Sequence, residues 1–103
     1  MSVDITARIG LGIILEKNQF DKIENILDEE SNIEQFWVDN YDENSPVFLG
    51  YVLNSVEQGW YKTFGKETIN QEKLNELIEL IDQINFTLGI NLTIAQYLIN
   101  QLH

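Results

Sequence analysis

The residues with chemical potential are few and poorly grouped for catalysis. The single histidine, His103, stands at the end of the chain, where a side chain is expected to be mobile and a poor general base. A nucleophilic site needs a positioned base beside serine or cysteine. The chain has no cysteine, which removes disulfides, thiolate metal sites and thiol nucleophiles together. There is no His-Glu-x-x-His pattern. The run Asp39-Asn40-Tyr41-Asp42-Glu43-Asn44 offers oxygen ligands, yet it lacks the central glycine and terminal glutamate of a helix-loop-helix calcium site. It reads as a solvated acidic loop. Gly10-Leu11-Gly12 begins like a dinucleotide fingerprint but has no third glycine and lies inside an alternating segment. Seventeen carboxylates make some acid pair inevitable, and none is singled out for acid-base work. No enzyme activity, cofactor or metal is expected.

Two surface features carry more information. From Glu16 to Glu43 there are ten acids and two bases, so this segment supplies −8 of a net charge of −11. Phe36, Trp37 and Tyr41 are interleaved with those acids. Carboxylates around aromatic anchors suit a basic protein groove. The residues expected to meet such a partner are Asp28, Glu29, Glu30, Glu34, Trp37, Asp39, Asp42 and Glu43. The competing reading places Phe36 and Trp37 in the core with the acids as their solvated rim. The second feature is Trp60-Tyr61-Lys62-Thr63-Phe64-Gly65-Lys66, a basic stretch rich in aromatics. Trp60, Tyr61 and Lys62 could stack a base or grip a small anion. Otherwise the segment is an edge strand whose lysines discourage sheet association.

Elements must position these residues, and the hydropathy pattern predicts them. Residues 3–15 alternate: Val3, Ile5, Ala7, Ile9, Leu11, Ile13 and Leu15 share one face, which is a strand signal. Gly10 and Gly12 lie on the other face and mark a bulge or a close approach of backbone or ligand. Phe20, Ile23, Ile26 and Leu27 predict a short helix over 20–30. Residues 33–38 fit a strand or a helical turn. Residues 47–54 read as a buried strand, paired in a hairpin with 60–64. Leu74, Leu77, Ile78, Ile81, Ile84 and Leu88 predict a helix over 70–88, capped by Asn70 and stopped by Gly89, with Glu72, Glu76, Glu79 and Gln83 opposite. Thr93-Ile94-Ala95-Gln96 fits a capping box, but the alternation of Ile90, Leu92 and Ile94 favours a closing strand through Tyr97-Leu98-Ile99. Together these predict one α+β domain, a mostly antiparallel sheet packed against one long amphipathic helix plus a short one.

At 103 residues the chain fits a single domain of modest stability, and 44% hydrophobic residues exclude intrinsic disorder. The acidity opposes binding to nucleic acid or to anionic membranes and favours a basic partner. No segment is apolar enough to span a membrane. The opening Met1-Ser2-Val3-Asp4 lacks the basic region of a secretory signal, so a cytoplasmic location is expected.

The opening Ala7-Arg8-Ile9-Gly10-Leu11-Gly12-Ile13-Ile14, the long amphipathic helix, and Leu88-Gly89-Ile90 with Tyr97-Leu98-Ile99-Asn100 resemble small acidic bacteriophage accessory proteins in overall pattern. That resemblance implies a protein acting on host machinery, such as an inhibitor of a nucleic-acid-binding host defence protein. It transfers no residue role. The expectation is therefore a non-catalytic inhibitor of a basic host protein, acting partly by mimicking nucleic-acid charge. The alternatives are a protein that sequesters a nucleotide or similar small ligand, and an oligomeric phage assembly component.

Overall fold

The computed structural model describes residues 4–27, 31–61, 63 and 68–103. Strand β1 (Ile5–Leu15) leads into helix α1 (Lys17–Ile23) and a 3-10 turn (Glu24–Ile26). Strands β2 (Glu34–Trp37) and β3 (Val47–Glu57), helix α2 (Gln71–Leu88) and strand β4 (Ala95–Leu102) follow. The sheet order is β2-β3-β1-β4, and every neighbouring pair is antiparallel. This is the α+β architecture the periodicity predicts.

Local chemistry sets the boundaries. Helix α1 begins three residues before its first core residue, Phe20, because the Glu16 backbone N–H donates to Gln19 Oε1 at 3.0 Å. Lys17 and Asp21 pair at 3.0 Å one turn apart. In α2, Asn70 Oδ1 accepts the Lys73 N–H at 2.8 Å, and Gly89 ends the helix at φ 67°, a left-handed conformation that favours glycine. The Asn85 amide then grips Leu92 through two 2.9 Å bonds to its N–H and C=O. That clamp aims the chain into β4. The segment Ile90–Ile94 stays outside the sheet despite its alternation, and the closing strand is as expected.

One face of the sheet carries the main core. Ile13, Leu15, Val47, Leu49 and Tyr51 meet Phe20 and Ile23 of α1 and Leu77, Ile81 and Ile84 of α2. Ile78 is a correction to the expected helix face: it is 41% exposed, at the margin of the stripe.

The opposite face is built differently. In a flat sheet, three steps of about 4.8 Å would hold the outer strands about 14 Å apart. Here the chain after β2 bonds to β4: Asn40 N–H donates to Leu102 O and Leu102 N–H to Val38 O, both at 3.0 Å. The sheet must therefore coil. It coils toward the glycine face, because Gln101, on that face, reaches over to donate to the Trp37 carbonyl at 3.0 Å. Arg8, on the same face, donates to Gln101 Oε1 at 2.7 Å and lies 5.2 Å from the Phe36 ring centre. Phe48 is fully buried between Phe36 and Tyr97, and its ring fills the space a side chain at Gly10 would need. Gly12 and Gly50 face each other so closely that a Cβ on either would meet opposing backbone. A bulge in β3 opposite Ile9 and Gly10 adds to the bend. Both glycine expectations, bulge and close backbone approach, hold; aromatic rings, not a ligand, occupy the space.

Two further expectations are corrected. Trp60 and Tyr61 lie outside any strand: the Trp60 N–H closes a turn on Glu57 O at 3.0 Å, and β3 pairs with β1 and β2 instead. His103 is tied in: it exchanges backbone hydrogen bonds with Asp4, and its Nε2 lies 2.6 Å from Thr6 Oγ1.

Candidate functional site

The 3-10 turn, the start of β2 and the outer flank of α2 enclose a groove of about 380 Å³. Its apolar lining is Ile26, Leu27, Ile33, Leu49 and Leu80, and its carboxylates are Glu24, Glu76 and Glu79. Helical spacing explains the acids on α2. Glu76, Glu79 and Gln83 follow one stripe, beside the half-buried Leu80 that borders the core. The turn after α1 adds Glu24 from the other side.

Glu76 is fixed by two donors, Tyr51 Oη at 3.0 Å and Ser31 Oγ at 3.1 Å. Burial, then the hydrogen bond to Glu76 and the charge of Glu76, push the Tyr51 phenol up to about 12. The Lys73 ammonium lies 5.7 Å from the Tyr51 ring centre. Glu24 and Glu79 are exposed and, among the described residues, take part in no ion pair. The groove thus combines an apolar lining with carboxylates that take part in no ion pair among the described residues. Chemically it suits a long side chain with an aliphatic stem and a cationic head, which is the character of lysine and arginine.

The described members of the expected partner-binding set lie on β2 and on the loop that follows it. Glu34 is exposed at the start of β2, and its carboxylate accepts the Val52 N–H at 3.0 Å, on the stretch of β3 that runs past the start of β2. Trp37 is half-buried, packed edge-on against Phe20 with ring centres 6.1 Å apart and with the Lys17 ammonium 5.9 Å away. It belongs with the core rather than with an exposed anchor set. Asp39 Oδ1 accepts the Tyr41 N–H and Asp42 Oδ1 accepts the Asn44 N–H, both at 2.9 Å. These two carboxylates fold their own loop, which Ser45 also braces by accepting the Asp39 N–H at 2.8 Å. Glu43 is exposed on that loop. Asp28, Glu29 and Glu30 lie outside the described residues. No group of three or more potential metal ligands occurs among the described residues.

Of the alternative ligand residues, Trp60 and Tyr61 are 76% and 92% exposed, beside a hollow of about 290 Å³ lined also by Ser55, Val56 and Glu57. Lys62 lies outside the described residues. The charged group in that lining is Glu57, which opposes an anion. The groove residues Glu76, Glu79 and Leu80 escaped sequence reasoning because the acids read as the solvated face of α2. Their proximity to the turn after α1 is a tertiary fact, although their common helical stripe was visible.

Compared with known protein families, with curated proteins and with solved structures, the chain matches none. Among the described residues no helix is long and apolar enough to cross a membrane.

Proposed function

We propose that this protein is a non-catalytic binding protein that engages a basic protein through the acidic groove and competes there with nucleic acid. One observation carries the reading: an apolar floor rimmed by Glu24, Glu76 and Glu79, on a chain of net charge −11. Long-range attraction steers a basic surface to the acids. Aliphatic stems of its lysines or arginines then lie on Leu27, Ile33 and Leu80 while their heads meet the carboxylates. In line with the resemblance to phage accessory proteins, the partner is a host nucleic-acid-binding protein, and its inhibition follows from occupation of the surface that binds phosphates. The absence of cysteine suits a reducing cytoplasm as the place of action.

The test is an NMR titration with a lysine- and leucine-rich basic peptide. Shifts should cluster at Glu24, Ile33, Glu79 and Leu80. Binding should weaken steeply as salt rises and the Debye length falls from about 10 Å at 0.1 M to about 3 Å at 1 M. The double reversal Glu24→Lys/Glu79→Lys should reduce affinity at least about tenfold, equivalent to about 1.4 kcal/mol. Shifts centred elsewhere, or binding indifferent to salt and to the reversal, would reject the groove.

A further inference from the structure

The charges of this chain stop at Asp82. All 17 acids and all six bases precede residue 83, and residues 83–103 contain none. That uncharged stretch includes β4, an outer strand of the sheet. Outer strands are ordinarily protected by charge, proline, a bulge or shortness. The other outer strand, β2, is four residues long and carries Glu34. Strand β4 is eight residues long, has no charge or proline, and runs in unbroken register against β1.

Its free edge can be located. Leu102 directs both its N–H and its C=O away from β1, to Val38 and Asn40. Alternation along a strand places the backbone groups of Gln96, Leu98 and Asn100 on that same outer side. Among the described residues no backbone partner meets them there. At the middle of the three, the Leu98 side chain is 71% exposed.

We propose that β4 pairs with β4 of a second copy of this chain, antiparallel about a twofold axis at Leu98, joining two sheets into one of eight strands. The charge distribution selects this occupant. A basic partner is drawn to the acids of the first 82 residues, whereas two copies of a −11 chain repel through those same acids. An isologous contact through the uncharged strand sets the least repelling strip of one copy against the same strip of the other. At that register Leu98 meets its own counterpart, and the Gln96 amide of each copy faces the Asn100 amide of the other. The arrangement is independent of the groove, so either can fail without the other.

Sedimentation velocity from about 1 µM to about 1 mM protein tests it. The dimer should strengthen with sodium chloride from 0.1 M to 1 M as screening shortens the Debye length from about 10 Å to about 3 Å, opposite in sign to groove binding. Leu98→Lys should raise the dissociation constant at least about tenfold by placing two ammonium groups at the axis. Gln96→Pro, which removes an outward N–H where an outer strand tolerates proline, should act likewise. In the wild type the Gln96 and Leu98 amides should exchange slowly with solvent; both should exchange quickly in Leu98→Lys, and the Leu98 amide quickly in Gln96→Pro, with the far-ultraviolet spectrum unchanged in each. A monomer at every concentration and salt would overturn the proposal. So would a dimer that survives both substitutions.

Discussion

The two faces of this sheet are buried by opposite means. On the helix side, aliphatic side chains from β1 and β3 meet a second layer, and Leu77, Ile81 and Ile84 of α2 complete the core. On the glycine side no helix arrives among the described residues. The sheet coils on itself, three glycines give up their side chains, and the Phe48 ring takes the space released above Gly10. One face hides apolar surface by adding a layer and the other by removing atoms so that strands can approach. The first design tolerates repacking, because side chains can move. The second has backbone against backbone at Gly12 and Gly50, where nothing can give.

The largest expected effect follows from that rigidity. In Gly12→Ala the new Cβ meets the Leu49 carbonyl oxygen and the Gly50 Cα, so the strands must separate. We expect a loss above about 4 kcal/mol, enough to remove most of the stability of a domain this size. Gly10→Ala meets the tip of the Phe48 ring instead, a side chain that can rotate. It should cost about 1–3 kcal/mol, with part recovered in a Gly10→Ala/Phe48→Leu double variant. Equal costs for the two glycine variants in urea denaturation would break the contrast between ring and backbone.

On the helix side the cost depends on cavity formation. Ile81→Ala should lose about 2–5 kcal/mol, through lost transfer energy and the void left behind. Ile78→Ala, one turn earlier and partly solvated, should lose about 1 kcal/mol or less. Thermal and urea unfolding measure both. An Ile81→Ala loss below about half a kcal/mol would mean that α2 does not pack as described.

How much was legible in the sequence follows the same division. Strand β1 and helix α2 with its Asn70 and Gly89 ends could be read because one-sided burial writes a period into the sequence, whereas the closing strand was expected from an alternation at Ile90, Leu92 and Ile94 that lies just before it. The coil of the sheet could not be read. Gly10 and Gly12 announced a close approach, but Gly50 and Phe48, which complete it, lie more than thirty residues away. The segment at Trp60 misled because aromatics raise strand propensity, while Glu57 and Gly59 turn the chain out of the sheet. Trp37 was ambiguous because a four-residue strand carries too little period to separate an anchor from a core residue. The groove was only half legible. Its acids share a helical stripe, but the turn carrying Glu24 joins them through packing alone.

The smallest expected effect, and the finest probe of where groove meets core, is the titration of Tyr51. Its phenol is raised to about 12 from the ordinary 10. A raised value means that the native state holds the proton more tightly than the unfolded chain. The contribution to stability is therefore complete below pH 10 and is lost as pH rises from 10 toward 12. A shift of about two pH units corresponds to at most about 2–3 kcal/mol. Urea midpoints for the wild type should fall over that interval. Tyr51→Phe should be less stable than wild type below pH 10, since Glu76 loses a donor, and the gap should narrow by pH 12. Glu76→Gln separates the causes. Burial is the largest of them, with the Glu76 hydrogen bond and charge behind it. Spectrophotometric titration of Glu76→Gln should therefore lower the Tyr51 value only part of the way toward 10. A complete return would mean that the ring is solvated. The seal between α2 and β3, on which both the core and the fixed carboxylate of the groove depend, would then be wrong.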